Sequence, residues 1–125
     1  MWYTDFMNQL HYNISVRLFT ENKCFGPGIA ALLSLVRERH SLRAAAAEMG
    51  MAYSKAWRIL RDCEHALGFP LLDSTTGGKH GGGAVLTPNA QRLLTDYEAF
   101  CHRLREEGDR LFREELGHWT EQEQS

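Results

Sequence analysis

Residues Ser41 to Arg61, SLRAAAAEMGMAYSKAWRILR, constrain the fold more than any other stretch of the chain. Ser41 stands where a helix N-cap belongs, since its hydroxyl accepts from the free N–H groups of the first turn. Leu42, Ala45, Ala46 and Met49 then recur on one face at helical spacing. The small alanines let a neighbouring helix approach closely. Gly50 follows, a residue that takes up the left-handed conformation needed just past a helix end. A second helix is expected from about Ala52 to Leu67, ended by Gly68. Ala56, Leu60, Cys63 and Leu67 share one of its faces, with Ile59 beside them. Tyr53, Ser54, Trp57, Arg58 and Arg61 point elsewhere. A short helix, a tight turn and a second helix with a basic and aromatic outer face is the pattern of a helix-turn-helix. In that unit the second helix lies in the DNA major groove and the first braces it.

The flanking segments narrow the type. Tyr12, Ile14, Val16 and Leu18 alternate with Asn13, Ser15, Arg17 and Phe19, and period two predicts a half-buried strand. Glu21-Asn22-Lys23 reads as a polar connection and Phe25-Gly26-Pro27-Gly28 as a loop. Pro27 suits the first position of a helix, where its missing N–H has no partner to lose. Ile29, Leu32, Leu33 and Val36 carry that helix to about His40. Beyond Gly68, residues 69–74 and 84–87 are short strand candidates. Between them lies TTGGKHGGG, with five glycines in residues 77–83, a hairpin tip with few side chains in the way. Thr87-Pro88 opens a long helix with Leu93, Tyr97, Phe100, Leu104 and Leu111 near a three-to-four residue apolar repeat, interrupted at Gly108. These five side chains are expected to be half-exposed on a monomer, which makes self-association their natural explanation. The order is mainly α with a small β wing: a winged helix-turn-helix over residues 1–87, a long C-terminal dimerisation helix over 88–118 and a flexible tail over 119–125.

Length and composition set the outer bounds. A chain of 125 residues suits one domain, and 43% hydrophobic residues suffice for a packed core. No apolar run approaches the ~20 residues of a membrane-spanning helix, and the N-terminus lacks the basic region of a secretory signal. Cys24, Cys63 and Cys101 are far apart, which suits a reducing cytoplasm better than a disulfide scaffold, and no spacing points to a metal. The net charge of −2 conceals an asymmetry. Residues 1–95 hold ten Lys and Arg against seven Asp and Glu, whereas residues 96–125 hold four against nine. Residues 37–61 hold six basic and two acidic groups, and a local basic patch sets phosphate affinity.

Two segments also carry a likeness. SLRAAAAEMGMAYSKAWRILRDCEHALGFPLL followed by TGGKHGGGAVLTPNAQRLL resembles the N-terminal DNA-binding domain of the molybdate-responsive ModE regulators, which belong with the wider LysR-type winged helices. The resemblance runs from about Ile14 to Phe112, and its most specific pieces are AYSKAW and TGGKHGGGAVLT. It implies a homodimeric bacterial transcription factor in which Pro88 to about Leu116 pairs with its symmetry mate, helped by the N-terminal strand region. There are departures. His80 stands where the family often has another glycine, and Ala90 replaces the glycine common after LTP. The family's regulators usually carry a C-terminal oxyanion-binding module, and this sequence ends soon after the long helix. No molybdate site is therefore expected, nor any other small-molecule ligand, cofactor or metal.

The DNA-binding candidates divide by chemistry. Arg58 and Arg61 suit guanine, whose N7 and O6 accept both arms of a guanidinium. Tyr53 and Ser54 suit phosphates or base edges, and Trp57 a sugar or thymine methyl. The plainer readings are that Trp57 is a core residue and that the arginines form a solvated face. Lys55 points off the reading face, toward phosphate or water. Ser41 and Arg43 begin the bracing helix, whose N-terminus attracts phosphate. Lys79 and His80 at the wing tip are placed for phosphate or the adjacent minor groove. GGKHGGG is not a nucleotide-binding loop, since it lacks GxxxxGK[ST] and the strand-to-helix context. No Ser, His and carboxylate set or paired histidine motif predicts an enzyme. The expected function is sequence-specific binding of double-stranded DNA by a cytoplasmic homodimer that regulates transcription. The alternative is an interaction module that pairs with a full-length regulator without reading DNA alone.

Overall fold

In the computed structural model, which describes residues 9–75 and 83–120, Pro27 occupies the first turn of helix α1 (Pro27–Arg39), as its fixed φ favours. Helices α2 (Leu42–Glu48) and α3 (Tyr53–Leu67) follow, and α4 (Pro88–Thr120) closes the chain. Two antiparallel strand pairs complete it: β1 (Leu18–Phe19) with β2 (Lys23–Phe25), and β3 (Leu72–Thr75) with β4 (Gly83–Leu86). The second pair flanks the glycine-rich tip in the register Leu72↔Leu86 to Thr75↔Gly83 and is the wing of a winged helix-turn-helix. No described helix is long and apolar enough to cross a membrane.

Contacts divide the chain into two units, residues 15–98 and residues 1–14 with 99–125. The first is built on α1, whose Leu32, Leu33 and Val36 are buried and which packs on α2, β2 and β4. Phe25, Leu42, Leu60, Leu71 and Leu94 complete its core. Phe25 meets Tyr97 edge-on at 5.0 Å between ring centroids. Cys24 and Cys63 are buried thiols, while Cys101 is partly exposed; all three are free. Burial, followed by the neighbouring Cys24 and Glu64, pushes the Cys63 thiol up to about 12. It therefore stays neutral in the folded protein at pH 9–11, where an unfolded thiol ionises, so its contribution to stability is present below about pH 9 and is lost as pH rises toward about 12. Ellman's reagent at pH 8 is expected to label Cys101 first, and Cys24 and Cys63 only after unfolding; prompt labelling of Cys63 would contradict its burial.

Two expectations are corrected. The strand anticipated over residues 12–19 pairs only at Leu18–Phe19, with a register irregularity against β2, which forms where a polar connection and a loop are expected. The upstream carbonyl of Val16 accepts from the Tyr97 hydroxyl at 2.7 Å instead of a ladder partner. That same contact corrects Tyr97, which is not half-exposed but 7% exposed, inside the first unit. Gly108, where the apolar repeat is interrupted, lies within α4. In the second unit Tyr12 occupies the space that glycine leaves, and a Cβ there would lie 2.5 Å from the phenol oxygen. The Tyr12 hydroxyl donates to Asp109 Oδ1 at 2.6 Å and its ring stacks on Phe112 at 5.4 Å. On the rest of the expected apolar repeat, Phe100 and Leu111 are about half exposed, and Leu93 and Leu104 are intermediate.

Candidate nucleic-acid interface

The helix-turn-helix is held by its turn. Ser41 Oγ accepts from the Ala44 N–H at 3.0 Å, capping α2. At the other end Met51 N–H donates to the Ala46 carbonyl and Gly50 N–H to the Ala47 carbonyl, at 2.9 and 3.0 Å, the paired bonds of a Schellman ending. That ending needs a left-handed residue, and Gly50 has φ +70°. A Cβ at Gly50 meets nothing within 4 Å, so the cost of a side chain there is backbone strain alone. Gly50→Ala is expected to lose roughly 1–2 kcal/mol in urea denaturation, and Gly28→Ala, at an open helical position without positive φ, to lose none. Equal effects at the two sites would contradict this account of the turn.

Helix α3 separates its residues by depth. Ala56, Leu60 and Cys63 are buried, whereas Ser54, Lys55, Arg58 and Arg61 are exposed and Tyr53 and Trp57 lie between. Trp57 is thus neither a core residue nor a freely projecting one. Tyr53, Trp57 and Arg61 follow one another at i, i+4 spacing along one stripe. The Tyr53 and Trp57 rings meet edge-on at 6.3 Å. The Arg61 guanidinium lies 5.0 Å from the Trp57 ring centre, and Arg43, from α2, lies 4.1 Å from that of Tyr53. Four of the anticipated residues are therefore one connected row. Sequence reading selected each of them but missed how they touch. The i, i+4 spacing of Tyr53, Trp57 and Arg61 was the available signal for part of the row, while Arg43 reaches it only through the bend of the turn.

The basic patch is smaller than its count. Arg39 pairs with Glu48 at 2.7 Å, fastening the end of α1 to the end of α2, and Arg37 pairs with Glu98 at 3.4 Å. Such exposed pairs contribute only ~0–1 kcal/mol, but they offset two of the six cations. Arg43, Lys55, Arg58 and Arg61 have no ion pair among the described residues.

The wing is anchored beside this face by residues that the sequence does not single out for that role. His40 ends α1 in a left-handed conformation, and its carbonyl accepts from Ala84 of β4 at 3.1 Å. Glu64 of α3 accepts from the Leu71 N–H at 2.7 Å. Thr87 caps α4 by accepting from Ala90 N–H at 3.1 Å, while its hydroxyl donates to the Pro70 carbonyl at 2.7 Å. The bonds at Pro70 and Leu71 explain why β3 starts at Leu72 rather than Phe69. Lys79 and His80 lie outside the described residues.

The fold and this exposed, basic second helix define a winged helix-turn-helix regulator. Comparison with known proteins is consistent with that class. Residues 29–91 match the family described as "Bacterial regulatory helix-turn-helix protein, lysR family", about half of the chain. The chain belongs to that family, and its matched region is a DNA-binding domain of the ModE type. Among curated relatives, the molybdenum-pterin-binding protein MopB of Rhodobacter capsulatus is 41% identical over 69 residues, covering 55% of this chain and 26% of the relative. The molybdenum transport protein ModE of Herbaspirillum seropedicae is 39% identical over 73 residues, 58% of this chain and 27% of the relative. The DNA-binding transcriptional dual regulator ModE of Escherichia coli K12 is 34% identical over 86 residues, 68% and 33% respectively. The chain thus spans about a quarter to a third of the length of these relatives.

Proposed function

We propose that the chain binds double-stranded DNA sequence-specifically as a homodimer and regulates transcription in the bacterial cytoplasm. The observation that carries this reading is the exposed face of α3, where Ser54, Lys55, Arg58 and Arg61 stand clear of the buried Ala56, Leu60 and Cys63. A helix so oriented, braced by α2 and flanked by a wing, suits the major groove, where arginine distinguishes guanine by two hydrogen bonds. Ser41, Arg43, Lys55 and the wing residues Lys79 and His80 are assigned to the phosphate backbone. Tyr53, Ser54, Trp57, Arg58 and Arg61 form the surface of the recognition helix. The reading gives DNA binding to residues 1–87 and pairing to the helix 88–118.

Pairing is supported by the apolar side chains of the second unit. Phe100 and Leu111 are 50 and 47% exposed on α4. Together with Leu104 and the half-buried Leu93, Phe100 and Leu111 are the surface assigned to the second copy; Tyr97 supports its own chain instead. Selection of bound duplexes from a random pool tests the reading. A palindrome with half-sites about one turn, ~34 Å, apart is the expected product. Enrichment of no sequence by a purified dimer would favour an interaction module that does not read DNA by itself.

A further inference from the structure

We propose that Tyr53 and Trp57 are positioning residues that hold Arg43 and Arg61 for the DNA phosphates, leaving base discrimination to Ser54 and Arg58. This rests on the DNA-binding reading and assigns roles within it. Each aromatic ring carries a guanidinium at 4.1 or 5.0 Å from its centre, and the two rings meet edge-on at 6.3 Å. The rings are partly buried while Arg43 and Arg61 are exposed, so the cations are the outermost members of the row. A guanidinium stacked on an aromatic ring keeps its planar set of N–H donors available, and its side chain is ordered before any partner arrives.

The direction of the row separates phosphate from base contacts. Arg43 belongs to α2, the helix that crosses the DNA backbone in a helix-turn-helix. Because Arg43 stacks on Tyr53, the stripe of Tyr53, Trp57 and Arg61 faces the α2 side of α3. Ser54 and Arg58 form the next i, i+4 stripe, close to the start of α3, where recognition helices address base edges. Arg61, which the sequence alone makes a guanine reader, is therefore a backbone contact.

Anisotropy titrations on the selected operator and its single-base variants test the assignment. Arg61→Ala should weaken binding to all duplexes about equally and reduce the slope of log affinity against log salt by about 0.9. Arg58→Ala should instead compress the differences between duplexes. Trp57→Leu should cost about tenfold in affinity beside an intact Arg61 but less than about twofold in the Arg61→Ala background, and Trp57→Phe should restore most of the loss. Additive losses from Trp57→Leu and Arg61→Ala, or a changed base preference in Arg61→Ala, would overturn the proposal while leaving DNA binding intact. Trp57→Phe and Arg61→Ala preserve the test if Trp57→Leu fails to fold. A wild-type protein that binds no duplex would remove the underlying reading as well.

Discussion

Phe25→Ala is expected to destabilise the first unit by about 3–5 kcal/mol, the usual cost of emptying a fully buried aromatic site. Phe25 is 0% exposed and stands at the edge of the Tyr97 ring. Tyr97 in turn donates to the Val16 carbonyl, so the cavity would also loosen the support of the segment leading into β1. The edge-on ring pair adds roughly 0.5–1.5 kcal/mol that alanine cannot replace. Against a total stability of about 5–15 kcal/mol for an ordinary domain, this is a large fraction. Urea denaturation measures it directly. Phe25→Leu should recover much of the loss by refilling the volume. A cost below about 1 kcal/mol for the alanine variant would mean that the core is not organised around this ring.

Arg58→Ala should have the opposite profile. Arg58 is exposed and has no ion pair among the described residues, so neither the urea midpoint nor the circular dichroism spectrum should change. Each guanine that Arg58 no longer reads should weaken operator binding by about 1–3 kcal/mol, or roughly 5- to 150-fold, with a smaller fall on duplexes that lack the guanine. Unchanged affinity would show that α3 meets DNA by another face. Taken together, the two substitutions separate the scaffold from the reading surface: one should lower the stability of the unit without replacing any interface residue, the other should disable the interface without disturbing the unit.

The helical skeleton was legible because local chemistry and packing agree there. Ser41 as a cap, Gly50 and Gly68 as left-handed endings, and Pro27 at a helix start each have one good physical use, and each is found in it. The N-terminal alternation misled because period two records which side chains can share a face, not whether a partner strand exists. Val16 spends its carbonyl on Tyr97, a residue 81 positions away. The interruption of the apolar repeat at Gly108 has a distant cause too: Tyr12, 96 positions earlier in the numbering, occupies the space beside the helix. Tyr97 looked like an interface residue because helical spacing identifies an apolar stripe but not which stretch of it the chain covers itself.

The site was legible as a set of residues and not as an arrangement. Arg58 and Ser54 could be placed on the outer face from helical phase alone. The pairing of Arg43 with Tyr53 crosses the turn, and phase within either helix says nothing about it. The ion pairs that offset Arg37 and Arg39 are likewise tertiary, which is why a count of cations overstated the free positive charge.

The central claim is that this face of the molecule recognises duplex DNA by sequence. Anisotropy titration of the purified protein against its selected palindrome and a scrambled duplex, repeated from about 50 to 200 mM salt, tests it most directly. Binding to the palindrome is expected to be at least about 10³ tighter than to the scrambled duplex, with both affinities falling steeply as salt rises. Equal affinity for the two duplexes, or no binding to either at the lowest salt, would contradict it.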